Sequence, residues 1–156
     1  MTGYGIRTME KITIRVAISR DLPEILELYR QLDLEDRLVL PVADAERIFE
    51  TIKKYPDYHV YVARRYGKTL GTFTLLIVDN LAHMGARSGI VEDVVVAAEW
   101  QGMGIGRQMM RVAMQKCHEA GCYKLVLSSN KKRADAHRFY EKLGFRQHGY
   151  SFVVTM

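Results

Sequence analysis

Gln101-Gly102-Met103-Gly104-Ile105-Gly106-Arg107 lies between a β-branched run, Ile90-Val91-Glu92-Asp93-Val94-Val95-Val96, and a long amphipathic segment. The run reads as a buried strand. In the segment that follows, Ile105, Met109, Val112, Ala113, Cys117 and Ala120 fall on one helical face. Arg107, Arg111, Gln115 and Glu119 fall on the opposite one. Glycines at alternate positions let the backbone turn tightly and come close to a ligand. The free N–H groups of the helix's first turn, backed by the positive end of its dipole, then form an anion site suited to a pyrophosphate.

Two common nucleotide loops fail on residue identity. Counting from Gly102, G-x-G-x-x-G needs a third glycine where Arg107 stands, and no Gly-Lys-Ser/Thr occurs. What remains is Gln-x-x-Gly-x-Gly after a strand ending Val94-Val95-Val96, with Trp100 just ahead of the loop. This resembles the pyrophosphate loop of the GNAT superfamily of acyl-CoA-dependent N-acyltransferases, whose usual first residue is Gln or Arg. Ala136-His137-Arg138-Phe139-Tyr140-Glu141-Lys142-Leu143-Gly144-Phe145 resembles the superfamily's late helix, with its Phe-Tyr pair and Gly stop. Lys124-Leu125-Val126-Leu127-Ser128-Ser129-Asn130 is similar to its fifth strand. The likeness runs from about Thr13 to the end of the chain.

The coarse reading alternates strands and helices. A strand over Ile12–Ile18 precedes a helix from Asp21, with Pro23 in its first turn and Leu22, Ile25, Leu26, Tyr29 and Leu32 on one face. Residues 34–42 read as irregular and 43–55 as a second helix. Tyr58–Arg65 and Thr69–Val78 read as a hairpin across Tyr66-Gly67-Lys68. After the loop over 80–88 come the central strand, the glycine loop and the long helix. A strand from Tyr123, a helix over 133–143 stopped by Gly144, and a final strand complete the chain. The resemblance implies an α/β fold of the GNAT type: a mixed, strongly bent sheet, helices on both faces, and splayed central strands that admit the cofactor.

At 156 residues and 48% hydrophobic content, the chain suits one domain with a real core. The resemblance implies that 12–156 is a single N-acetyltransferase domain, behind a flexible N-terminal leader (1–11). No apolar run exceeds strand length, so neither a membrane span nor a signal peptide is expected. Two cysteines five positions apart make no redox pair, and five His residues show no zinc spacing; a cytoplasmic location with reduced thiols and no metal is expected. The net charge of +5 comes without a basic run interleaved with aromatics, so nucleic acid is not an expected partner. A phosphate-rich cosubstrate suits this modest bias equally well.

An amine that attacks a thioester must lose a proton, and the departing thiolate must gain one. Glu92 and Asp93 are the candidate acceptors of the amine proton. Strand alternation sends them to opposite faces, so only one is expected in the cleft, with Glu92 favoured. Either could instead bind the amine's charge or pair with a nearby cation. Tyr140 is the candidate general acid that the resemblance supplies; its spacing with Ala136, Phe139 and Leu143 also fits a plain core position. The resemblance further implies that acetyl-CoA is held by Val94, Val95 and Val96 through backbone atoms and by Gln101, Gly102, Met103, Gly104, Ile105, Gly106 and Arg107. Asn130 is a candidate for the pantetheine arm, though the superfamily's usual Asn position holds Arg133; capping or a turn is its other reading. His137 is expected on the exposed face of its helix, and His83 on the loop surface.

The reaction implied is acetyl transfer from acetyl-CoA to a primary amine by direct attack in a ternary complex. Gly89–Val96 is similar to the same strand in glucosamine-phosphate N-acetyltransferases, and Lys131–Tyr140 to a segment of aminoalkylphosphonate N-acetyltransferases. Both suggest a small amine that also carries an anion. A silent acyl-CoA-binding sensor and an acetyltransferase acting on a protein amine are the alternatives. A homodimer, formed through Phe152–Met156, is a further expectation from the resemblance.

Overall fold

The computed structural model describes residues 11–32 and 38–156. The leader over 1–10 and residues 34–37 of the irregular stretch lie outside the described residues. The elements run β1 (Thr13–Val16), α1 (Leu22–Tyr29), α2 (Val42–Ile52), β2 (Tyr58–Arg65), β3 (Lys68–Val78), β4 (Arg87–Val96), α3 (Ile105–Glu119), β5 (Cys122–Leu127) and α4 (Ala134–Lys142). They build an open five-stranded sheet in sequence order, antiparallel from β1 to β4, with β5 parallel to β4. The β2–β3 hairpin closes on Tyr66 and Gly67, both at positive φ (51° and 72°), the geometry that matches strand twist in two-residue turns.

Strand alternation distributes the core between two faces. Tyr61 and Ala63 of β2 pack toward α3, together with Leu70, Phe73, Leu75 and Val91. Val60 and Val62 point the other way, against Leu22 and Ile25 of α1 and Phe49 of α2. Helix α3 buries Ile105, Met109, Met110, Ala113 and Cys117. It lies close on the sheet because Gly89 has no side chain: a Cβ there would collide with the Cys117 Sγ. Buried Asp21, just before α1, accepts hydrogen bonds from the guanidinium groups of Arg15 (2.6 Å) and Arg64 (3.0 Å) and from the Ile18 N–H (2.9 Å). It ties β1 and β2 to the start of α1.

The final strand is absent. Residues 145–156 form no strand, and Phe152, Val153, Val154 and Met156 are almost wholly exposed. β-Propensity alone does not make a strand where no neighbour supplies a ladder. Among the described residues, no helix is long and apolar enough to cross a membrane.

Candidate active site

Strand β4 departs from both of its neighbours at the same place. Its pairing with β5 runs from Arg87 opposite Cys122 to Val91 opposite Leu127; Glu92–Val96 have no β5 partner. On the other side the β3 register slips: Thr74 faces Glu92 while Thr72 faces Val95. The extra residue is a β-bulge, with Asp93 in the left-handed region at φ 51°. Asp tolerates that region better than most residues, because its short polar side chain bonds locally.

The bulge inverts the alternation of the strand. Val91 packs on the α3 side, whereas Val95 packs with Leu28 of α1. Paired residues share a face, so Glu92 lies on the α1 side with buried Thr74. Asp93 lines a cavity on that same side. The expectation that these carboxylates face opposite ways therefore fails, because alternation presumes an unbroken ladder. Both side chains are exposed, yet partial loss of water around the Asp93 carboxyl pushes it above its ordinary value. Glu92 is raised by the same loss of water and then by the charge of Asp93.

Two tyrosines that the sequence reading left out of the site surround this pair. Tyr29 of α1 is pushed up to about 12, by burial first and by the Asp93 charge second, while a hydrogen bond with Thr74 opposes the shift. Tyr58 is raised by burial, then by Asp93 and Glu92. Tyr29 was legible in the sequence only as one member of an apolar helix face. Its hydroxyl carried no signal until β4 was placed beside it.

Beyond the bulge, the Ala97 N–H donates to the Leu70 carbonyl on β3 (2.8 Å). Alternation then turns the backbone groups of Val94 and Val96 toward the gap that β5 leaves. Their side chains serve the core, half-buried against the α3 cluster. The Gln101 side-chain amide donates to the Val96 carbonyl (3.0 Å), binding the glycine loop to the strand. Trp100 packs against Leu28, Val95 and Ala97 beneath it.

The glycines divide into two kinds. Gly102 (φ 76°) and Gly104 (φ 81°) need the left-handed region, and a Cβ on either would meet open space. Gly106 is a packing glycine: a Cβ there would lie 3.1 Å from the Phe139 ring of α4. The first intrahelical bond of α3 runs from the Gln108 N–H to the Gly104 carbonyl (3.1 Å). The N–H groups of Ile105, Gly106 and Arg107 therefore have no acceptor within the helix. No acidic residue stands in this first turn, and Met103 and Arg107 are exposed beside it. Open loop, free donors and a nearby cation fit a pyrophosphate.

Tyr140 on α4 is half-buried against the α3-side core, held edge-on by Phe139 (centroids 5.1 Å) and Phe145 (5.6 Å). Burial raises its hydroxyl above the ordinary phenol value, partly offset by Arg133. The Asn130 side-chain oxygen accepts the Lys132 N–H (2.9 Å), a local turn that launches α4. His137 is half-buried, not exposed as expected, because its Nε2 lies 3.0 Å from the Asn130 carbonyl oxygen. His83 is exposed as expected, and stacks on Tyr123. Among the described residues, no group of three or more His, Cys, Asp or Glu is placed to hold a metal ion.

On the α1–α2 side of the sheet, a cavity of about 280 Å³ opens between Leu22, Ile25 and Leu26 of α1, Ile48, Phe49 and Ile52 of α2, and Val60 of β2. Asp93 is its one charged residue among those described.

Residues 22–145 match the model of the acetyltransferase (GNAT) family. A glucosamine 6-phosphate N-acetyltransferase of Trypanosoma brucei brucei is 31% identical over 141 residues, covering 88% of this chain and 90% of the relative. An aminoalkylphosphonate N-acetyltransferase of Salmonella typhimurium is 34% identical over 101 residues, covering 65% of each. Among solved structures, a glucosamine-6-phosphate N-acetyltransferase of Arabidopsis thaliana superposes with a TM-score of 0.82 at 26% identity, covering 94% of this chain and 99% of that one.

Proposed function

Since the chain belongs to the GNAT family of acetyltransferases, we propose that it transfers the acetyl group of acetyl-CoA to a primary amine by direct attack, with both substrates bound together. The observation that carries this reading is the double departure of β4. One stretch of strand turns its backbone toward the gap beside β5 and presents two carboxylates on the α1 side.

Acetyl-CoA supplies the activated acyl carbon as a thioester. The N–H groups of Ile105, Gly106 and Arg107, with the open loop at Gly102 and Gly104, suit its pyrophosphate. Gln101 acts by fixing that loop to Val96. The N–H groups of Val94 and Val96 are donors for the pantetheine arm and for the carbonyl oxygen as it gains negative charge. Asn130 supports the site by shaping the turn into α4.

The amine reaches the protein mainly protonated, since an alkylamine titrates near pH 10. Asp93, at the cavity, takes the surplus proton, and Glu92 beside it adds negative potential that holds the cation. A carboxyl raised by partial loss of water is a better base than an ordinary one. As nitrogen bonds to the acyl carbon and the carbon–sulfur bond breaks, the Tyr140 hydroxyl gives its proton to the sulfur. The second nitrogen proton, released as the neutral amide forms, restores the Tyr140 hydroxyl by way of solvent, and Asp93 passes its own proton to water. A phenol is protonated at neutral pH without any shift, so the proton is available to the sulfur.

A covalent route through cysteine is disfavoured. Cys117 is buried and its thiol pushed up to about 12, by burial first and Cys122 second. Initial rates measured against both substrates test the mechanism. Intersecting double-reciprocal lines are the expected result; parallel lines, the mark of an acyl-enzyme, would overturn direct attack.

A further inference from the structure

Among the described residues, the cavity beside Asp93 offers nothing to receive an anionic acceptor. Its walls are Leu, Ile, Val, Ala and Phe, with Tyr29 and Asp93 as the polar groups, and no Lys, Arg, His or amide side chain lines it among the described residues. Leu38, Leu40 and Ile48 keep apolar surface exposed at its lining. A phosphate or phosphonate placed there would lose its water without gaining a cation or a charged donor, and would stand near a carboxylate. A protonated amine meets the opposite situation, because its charge is complementary to Asp93 and the rest of the molecule can bury against aliphatic wall. At about 280 Å³ the cavity lies just below the usual range of small-ligand pockets, roughly 300–1,000 Å³.

We propose that this cavity takes the acceptor, and that the acceptor is a primary amine on an apolar body, an alkylamine or aralkylamine with no anion near the nitrogen. The inference rests on the amine-acetylation reading above and narrows it. It also departs from the phosphate- and phosphonate-bearing amines named for the curated relatives. Asp93 holds the ammonium end, at the bulge of the strand that carries the reaction, and the α1–α2 wall selects the body.

A matched pair of amines tests this: 2-phenylethylamine and 2-aminoethylphosphonate share the nitrogen and two carbons and differ in the group that enters the cavity. Thiol release from acetyl-CoA is followed for both, with glucosamine 6-phosphate and hexylamine alongside. Binding of each amine to the protein alone is measured by calorimetry. We expect kcat/KM roughly 10- to 100-fold higher for 2-phenylethylamine, the gain from burying one ring. Ile48→Lys puts a cation into the wall at a partly exposed position, so the fold tolerates it. It should lower kcat/KM for 2-phenylethylamine at least tenfold while the affinity for acetyl-CoA is unchanged.

Faster turnover of the phosphonate or the sugar phosphate would overturn the inference and leave the acetyltransferase reading intact. Indifference of 2-phenylethylamine turnover to Ile48→Lys would overturn the placement in this cavity. Binding of 2-phenylethylamine that Ile48→Lys weakens, without thiol release from any amine, would uphold the ligand class and overturn the transferase reading.

Discussion

Replacing Asp93 by Asn should move activity and stability in opposite directions. Asp93 sits at φ 51°, a conformation that Asn accepts as readily as Asp, so the substitution removes the charge and keeps the bulge. Asp93→Ala would add the left-handed penalty of about 1–2 kcal/mol, and it serves as the control for backbone strain. Partial loss of water raises the Asp93 carboxyl, so the folded protein holds this proton more tightly than the unfolded chain. The contribution to stability is complete below the unfolded value and is lost as pH rises through the higher folded value. At pH 7 the ionised group opposes folding, and Asp93→Asn should raise Tm there while leaving it nearly unchanged at pH 3. Loss of the base should lower kcat/KM about 10²–10⁴-fold and abolish the acid limb of the pH profile. In the unsubstituted protein that limb should lie above the ordinary carboxylate range. Thermal melts at the two pH values and a pH series of thiol release check both halves. An Asp93→Asn protein that is less stable at pH 7, or that retains its turnover and acid limb, would refute the reasoning.

Tyr140→Phe should lower kcat about 10²-fold with little change in acetyl-CoA affinity, because the ring packing with Phe139 and Phe145 survives. Steady-state kinetics beside calorimetry separate the two effects. Gly104→Val places a β-branched residue at φ 81°, at about 1–2 kcal/mol, and fills the open side of the loop. Calorimetry should show acetyl-CoA affinity lost more completely than the modest drop in Tm explains. Asp21 is held below its ordinary value: burial alone would raise it, but hydrogen bonds from Arg15 and the Ile18 N–H and the charges of Arg15 and Arg64 prevail. Its stabilisation is present above about pH 4 and is lost as pH falls through its folded value. Asp21→Asn should cost about 1.5–3 kcal/mol in urea unfolding at pH 7, and the gap from the unsubstituted protein should narrow in acid.

Sequence patterns were legible where one local rule acted alone. The hairpin is legible at Tyr66-Gly67-Lys68, although Lys68 pairs with Arg65 and leaves a two-residue turn, and the buried stripe of α3 follows its 3.6-residue period, with Met110 the main addition. The bulge at Asp93 was not legible. Val91–Val96 looks like an unbroken strand, and only the paired registers of β3 and β4 show the slip that brings two carboxylates to one face. In sequence Gly106 is indistinguishable from the other loop glycines, because Phe139, the ring it makes room for, lies 33 positions along the chain. The cavity stayed hidden for a related reason: Leu22, Ile25 and Phe49 follow the same periodicity whether they close a core or line a pocket. The β-branched residues near the C-terminus have strand propensity but no neighbouring ladder, so the expected final strand does not form.

The central claim, amine acetylation by this chain, is tested most directly by incubating it with acetyl-CoA and 2-phenylethylamine and following thiol release together with the mass of the amine. The account predicts amine-dependent thiol release matched mole for mole by the N-acetylated product, and loss of both in the Asp93→Asn protein. Tight acetyl-CoA binding on the same sample, with no thiol release above background from that amine or from the sugar-phosphate and phosphonate amines, would contradict it.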